Sequence, residues 1–212
     1  MIFEQIPVGG DRNFAYLIGD EGTRRAAVVD PAFKPEKVLE RAAHHKLEVV
    51  YLINTHDHYD HSDGNETVLS RTGAELLAGA SAGFTDGQRV SLGDVELGLI
   101  HTPGHTTDSI CVLVTGTGIP DKLVTGDTLF VGKVGGTGFG EDARAEYDSL
   151  HHKLMSLPDE TEVWPGHDVG VAPNSSIGHE KKTNPFILRE SFEDFVDLKR
   201  NWLEYKQEHG ID

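Results

Sequence analysis

The chain of 212 residues carries 19 Lys and Arg against 35 Asp and Glu, a formal charge of −16 at pH 7. That balance, with no basic run, excludes a nucleic-acid partner, which would need clustered Lys and Arg for its phosphates. No run of about eighteen apolar residues offers a membrane span and Met1-Ile2-Phe3-Glu4-Gln5 has no signal-peptide character, so the expectation is a cytoplasmic protein with no membrane partner.

Residues 2–6, 14–18 and 26–30 are short apolar runs separated by Gly9-Gly10-Asp11 and Asp20-Glu21-Gly22, which predicts an antiparallel opening sheet. Asp30-Pro31 ends the third run, and Val38, Leu39 and Ala42 predict a helix from Pro35 to His45, with His44 and His45 at its polar end. Those two histidines suit the negative end of the helix dipole and are not counted as ligands.

Residues 49–54 read as a buried strand that delivers Thr55-His56-Asp57-His58-Tyr59-Asp60-His61 to a sheet edge. Imidazole nitrogens and carboxylate oxygens in this density suit a zinc, iron or manganese ion. His56 and His58 are two positions apart, so in extended backbone they point the same way and can grip one ion. Asp60 and His61 lie just beyond, where a second ion a few Å away would be held, as in two-metal hydrolytic sites.

A helix near Asn65–Arg71, a strand at 74–77, a run of turns and a strand at 95–100 lead to Thr102-Pro103-Gly104-His105. The Pro-Gly turn presents His105 at a strand end. Strand 110–114 contains the only cysteine, Cys111, in an apolar run where a thiol acts as a small hydrophobe and no intrachain disulfide can form. Strand 122–125 runs into Gly126-Asp127, a strand-end carboxylate suited to bridging two metals. Gly132 to Gly140 holds five glycines in nine positions, with Lys133 among them, and reads as a loop that closes over substrate or is mobile. A helix from about Arg144 to Ser156 carries Tyr147, Leu150 and Leu154 on one face, with His151 and His152 as solvated or packing residues. Strand 162–164 then repeats the earlier device as Pro165-Gly166-His167. The tail, Ser175 to Phe186, precedes a single predicted helix from Ser191 to about His209, capped by the Ser191/Asp194 pair. Its stripe of Phe192, Phe195, Leu198, Trp202 and Tyr205 is core packing that also makes a homodimer contact an expectation. No Pro/Gly/Ser-rich linker divides the chain, so 1–212 reads as one domain.

Thr55-His-Asp-His-Tyr-Asp-His61, Pro103-Gly-His105, Gly126-Asp127 and Pro165-Gly-His167 together resemble the metallo-β-lactamase superfamily over nearly the whole chain. The resemblance implies an α+β fold, a four-layer αββα sandwich with metals at one edge of the paired sheets. Carried over residue by residue, it gives one divalent ion to His56, His58 and His105 and a second to Asp60, His61 and His167, with Asp127 bridging.

The Asp60-His61 pair and Gly126-Asp-Thr-Leu-Phe130 are similar to glyoxalase II, the hydroxyacylglutathione hydrolases, which implies a small-molecule thioester substrate. Two cations would lower the pKa of a bridging water to give the attacking hydroxide, with Asp60 and Asp127 as the catalytic carboxylates and no protein nucleophile. This chain departs from that family in its short tail and in Gly132-Lys133-Val134-Gly135-Gly136, where relatives carry a Gly-Cys-Gly-Arg-like segment; Lys133 stands as the candidate substrate-anion contact.

The tail Glu180-Lys-Lys-Thr-Asn-Pro185 is similar to that of persulfide dioxygenases, which implies one Fe(II) on His56, His105 and Asp127 with a thiol-derived persulfide as substrate. Lactone hydrolysis and a non-enzymatic metal-binding role are the lesser readings.

Overall fold

The computed structural model describes residues 1–116 and 120–211. The three N-terminal apolar runs form β1 (Ile2–Gly9), β2 (Asn13–Gly19) and β3 (Arg25–Val29), each antiparallel to the next. Pro35, with its fixed φ, opens α1 (Pro35–His44), which turns Val38 and Ala42 inward. The chain continues through β4 (Glu48–Asn54), the single turn α2 (Tyr59–Ser62), α3 (Asn65–Thr72) and β5 (Glu75–Ala78). Strands β4 and β5 extend the first sheet in parallel, giving the order β1-β2-β3-β4-β5.

The second sheet begins as an antiparallel meander of β6 (Gln88–Ser91), β7 (Glu96–His101), β8 (Ile110–Thr115) and β9 (Lys122–Gly126). A small hairpin, β10 (Leu129–Phe130) with β11 (Lys133–Val134), precedes α4 (Glu141–Asp148). Strand β12 (Glu162–Pro165) then pairs parallel to β9, and β13 (Ser175–Ser176) pairs with β12. Helices α5 (Ile177–Thr183), α6 (Phe192–Arg200) and α7 (Trp202–His209) complete the chain.

Strand periodicity sorts the side chains into layers. Tyr16, Ile18, Ala27, Val29 and Ile53 of the first sheet meet Leu97, Leu99, Val112, Val114 and Val124 of the second. The opposite face of the first sheet, with Ala15, Leu17, Val28 and Leu52, packs on Val38 and Ala42 of α1 and Val68 of α3. The outer face of the second sheet, with Cys111, Leu123 and Val163, packs on Ala143 and Tyr147 of α4, Ile177 of α5 and Phe195 of α6. Helix, sheet, sheet, helix is the αββα arrangement expected. Among the described residues no helix is long and apolar enough to cross a membrane.

Two helices differ from expectation. The single helix expected over 191–209 is broken at Asn201, whose backbone leaves the helical region at φ −103°, ψ 16°. Its side-chain amide donates to the Asp197 carbonyl and carboxylate at 3.0 and 3.1 Å, sharing that carbonyl with its own backbone N–H. The break keeps Trp202 and Tyr205 packed on the same core as Phe195, although α7 alone buries no side chain fully. Helix α4 starts three residues before the expected Arg144, because the Asp142 carboxylate accepts from the backbone N–H groups of Gly138, Gly140 and Ala143. It runs on as a π turn over Ser149–Lys153 and a 3-10 turn over Leu154–Ser156, and Leu150 and Leu154 remain buried.

The two sheets are pinned together at one end. The buried Tyr16 hydroxyl of β2 donates to the Pro165 carbonyl at the end of β12 (2.5 Å) and accepts from the Gln5 amide (3.0 Å). Replacing Tyr16 with Phe leaves that carbonyl without its partner inside the protein, and a loss of about 1–3 kcal/mol in urea denaturation is the expected result.

Candidate metal centre

Five segments at strand ends meet at this pinned edge. Strand β4 supplies Thr55 to His58 and α2 supplies Asp60 and His61; the β7–β8 loop supplies His105, the end of β9 supplies Asp127, and the end of β12 supplies His167. Glycine is required at two of these exits. Gly126 has φ +49°, and a Cβ there would lie 2.5 Å from the Thr55 hydroxyl; at Gly166 it would lie 2.7 Å from Asp127 Oδ1. The ligand-bearing backbones therefore approach more closely than any side chain would permit.

Ligand atoms gather in three overlapping groups: His56, His58 and His105; His56, His61 and Asp127; and Asp60, His61 and His167, each group's atoms lying within 4.8 Å of one another. His58 Nδ1 lies 3.0 Å from His56 Nε2 and 3.1 Å from His105 Nε2. His61 Nε2 lies 3.1 Å from His167 Nε2, and Asp60 Oδ2 is 3.4 Å from the latter. Asp127 sits between the groups, with Oδ1 3.4 Å from His61 and 3.3 Å from His167, and Oδ2 3.6 Å from His105. All seven residues expected from the sequence are thus brought to one place.

Proton placement shows what this cluster fits. His105 Nδ1 faces the Gly136 carbonyl at 2.8 Å, His167 Nδ1 the Asp11 carbonyl at 2.8 Å, and His61 Nδ1 the Asp30 carboxylate at 3.0 Å. Those oxygens only accept, so each far nitrogen must donate and each near nitrogen is left to present a lone pair once its own proton is lost. Near nitrogens about 3 Å apart, beside a buried Asp127 Oδ1 that has no hydrogen-bond donor, form an environment complementary to a cation. The cluster therefore fits divalent metal binding.

Without a cation the cluster stores its charge as protons. Burial works against the His61 imidazolium, but Asp30 and Asp127 outweigh it and push His61 up to about 10. Burial and the neighbouring His61 push His56 down to about 4. Burial alone would raise Asp127; His167 and His61, which face its Oδ1 at 3.3 and 3.4 Å, hold it well below the carboxylate range. A divalent ion replaces these protons with a fixed charge.

Several residues around the cluster escaped the sequence reading. Asp30, 1% exposed at the end of β3, accepts from Thr55 N (2.8 Å), Thr55 Oγ1 (2.6 Å) and His61 Nδ1 (3.0 Å). It turns the histidine loop and fixes the His61 ring. Asn13, at the start of β2, donates to both the backbone carbonyl and the carboxylate of Asp60 at 3.0 Å. The only signal for either was its position at a strand boundary.

The glycine-rich loop packs against the site: a Cβ on Gly135 would fall 2.0 Å from the Asp127 carbonyl, and Gly136 orients His105. Lys133 lies outside the ligand cluster, with its amine 5.5 Å from the Phe130 ring centroid, and Phe130 in turn faces the His167 ring at 6.1 Å. Burial, then Lys206 and Arg12, lower its ammonium from the usual range. The remaining histidines expected to be bystanders are elsewhere: His45 pairs with Glu4, His151 stacks on Tyr147, and His152 is exposed beside Asp148.

The sequence profile described as "Metallo-beta-lactamase superfamily" matches residues 8–84 and 79–167. A Schizosaccharomyces pombe protein named "Probable hydroxyacylglutathione hydrolase glo2" is 37% identical over 219 aligned positions, covering 84% of each chain. A Polaromonas sp. (strain JS666) protein named "Hydroxyacylglutathione hydrolase" is 40% identical over 79% of this chain and 67% of its own. Among solved structures, ETHE1 from Myxococcus xanthus superposes with a TM-score of 0.85 at 35% identity, covering 95% of this chain and 91% of that one.

Asp30→Asn keeps the size of the side chain but removes the charged acceptor behind His61. Chelator-competition titration with zinc should show one ion held about 10–100-fold more weakly; unchanged affinity would exclude this role for Asp30.

Proposed function

Because the chain belongs to the metallo-β-lactamase superfamily, we propose that its metal centre serves a thioesterase of the hydroxyacylglutathione hydrolase type. The chain is a metal-dependent hydrolase whose substrate is a small acyl-thiol of the acyl-glutathione class. The observation that carries this reading is the pair of triads sharing Asp127, which suits two divalent ions: His56, His58 and His105 for one, Asp60, His61 and His167 for the other. Zinc, iron and manganese all suit the donor set. The same reading takes 1–212 as one domain in the cytosol, and as a homodimer through the terminal helices, where Leu203 is 76% exposed.

When bound, the ions supply Lewis acidity for the thioester carbonyl and lower the pKa of water, so no side-chain nucleophile is required. Cys111 could not serve as one: it is fully buried and burial pushes its thiol up to about 11. Asp60 is held by Asn13, and the Asp127 carboxylate, only 13% exposed, is enclosed by His61, His105 and His167, so both carboxylates keep fixed places while charge redistributes. Counted with Asp30, these carboxylates offset three of the four positive charges of two divalent ions, leaving a net positive site for an oxyanion and a leaving thiolate.

Substrate recognition falls to Lys133, which lines a cavity of about 430 Å³ with Val131, Val171 and Trp202. The Gly132–Lys133 turn that carries it is braced from the tail, where the fully buried Glu180 accepts from Gly132 N (3.0 Å) and from Asn184 (2.8 Å). An apolar wall with one half-buried ammonium suits a carboxylate-bearing thiol carrier.

The second reading is a persulfide dioxygenase with one Fe(II) on His56, His105 and Asp127. It is favoured by the ETHE1 match, which covers 95% of this chain and so takes in most of the tail carrying the Glu180–Pro185 segment.

Oxygen uptake with glutathione persulfide and hydrolysis of lactoylglutathione, measured on the same iron- or zinc-loaded sample, separate the two. Thioester cleavage without oxygen uptake is expected, and the reverse would overturn the hydrolase. Lys133→Gln should raise KM for lactoylglutathione roughly tenfold at nearly constant kcat, and Asp60→Ala should abolish hydrolysis while one ion stays bound.

A further inference from the structure

The only buried Lys–Glu pair among the described residues lies outside the ligand cluster, yet it touches the loops that carry it. Glu146 of α4 is fully buried, and its Oε2 is 2.5 Å from Lys199 Nζ of α6, a side chain only 6% exposed. Holding this pair away from water is unfavourable unless the geometry supplies further bonds. Lys199 makes one of them, donating to the Gly135 carbonyl at 2.8 Å.

Three contacts lead from the pair towards the metal centre. Gly135 is pressed so closely on the Asp127 carbonyl that a Cβ would fall 2.0 Å from it, and the same Cβ would stand 3.3 Å from Glu146 Oε1. The next carbonyl in the chain, that of Gly136, accepts from His105 Nδ1 at 2.8 Å. From the other side Gly104, the residue before His105, lies on the Glu146 backbone with φ +151°, where a Cβ would be 2.4 Å from Glu146 Cβ. Glu146 and Lys199 therefore grip both the loop that carries His105 and the carbonyl that fixes its tautomer. They make no contact of this kind with Asp60, His61 or His167, which are braced by Asn13, Asp30 and Asp11.

We propose that Glu146 and Lys199 are positioning residues for His105, so that helix α6 selectively sets the affinity of the ion held by His56, His58 and His105. The pair acts by placing two consecutive carbonyls: Lys199 holds that of Gly135, which leaves that of Gly136 aimed at the imidazole. Burial pushes the Glu146 carboxyl up to about 7 against the pull of Lys199, in keeping with a group retained at a cost to its own ionisation. The inference rests on His105 serving as a ligand, as the proposed function requires.

The test is a cobalt(II) titration of the metal-free full-length chain, followed by visible absorption and checked for stoichiometry, on Lys199→Met, Lys199→Gln and the double variant Glu146→Gln/Lys199→Met. The double variant removes both charges, so it separates positioning from the burial of an unpaired carboxylate. Expected are two cobalt equivalents in the unmodified chain and, in Lys199→Met and the double variant, one equivalent held about 10–100-fold more weakly with the other unchanged. Lys199→Gln keeps an amide donor for Gly135 and should fall between. Equal weakening of both ions, or no change in either, would overturn the proposal.

Should the double variant fail to fold, Lys199→Gln alone decides the matter by the same split. His105→Ala is the reference. If it weakens one ion and the Lys199 variants do not, only this inference fails; if it weakens neither, the ligand assignment itself is wrong.

Discussion

The structure depends on imidazole nitrogens held about 3 Å apart. Such a cluster needs a proton or an ion between its nitrogens, and the fold must hold it there before any ion arrives. It does so by giving the far nitrogen of His61, His105 and His167 an oxygen that can only accept: Asp30, Gly136 and Asp11. Each ring is fixed in tautomer and in angle by one bond. A water-exposed loop could not do this, because rings free to rotate would turn their lone pairs to solvent.

The αββα frame makes such rigidity available. Sheet strands end together at one edge, so residues distant in the chain arrive as neighbours, and the Tyr16–Pro165 bond keeps the two sheets from sliding at that edge. The loop after β4 is tied to the start of β8, where Ile110 N bonds to Thr55 O (2.7 Å), and the ends of β9 and β12 are tied to each other by Gly166 N to Gly126 O (2.8 Å). Gly126 and Gly166 let these backbones touch. The centre is thus part of the sheet framework, which accounts for its crowding and its burial.

The parts of this arrangement that were legible in the sequence are those in which chemistry and backbone signal coincide. His56, His58, Asp60 and His61 share one loop after an apolar strand, and His105 and His167 each follow a Pro-Gly at a strand end. Asp30 and Asn13 gave no comparable signal, because their roles come from strand pairing and loop packing across the chain. The glycine-rich segment was ambiguous for the same reason: whether five glycines mean motion or close packing depends on what lies beneath them, here the Asp127 carbonyl. The terminal helix followed its apolar stripe correctly, but its backbone bends at Asn201 without disturbing the stripe, since the Asn201 N–H still reaches the Asp197 carbonyl and the Tyr205 N–H the Asn201 carbonyl.

A hydrolase and a dioxygenase on this fold share His56, His105 and Asp127, so that triad cannot separate them. The other half of the site is more informative. A mononuclear iron centre would leave Asp60, His61 and His167 without an ion, holding instead the proton that Asp30 and Asp127 keep on His61. The support of these three residues is extensive: Asn13 is buried and spends its amide on Asp60, the buried Asp30 fixes His61, and the β1–β2 turn supplies the Asp11 carbonyl to His167. Leaving lone pairs and a carboxylate converged and partly desolvated is destabilising unless something positive, a proton or a second ion, occupies the space between them. The organisation of this second triad gives a second ion a place, and that place is what the hydrolytic reading rests on.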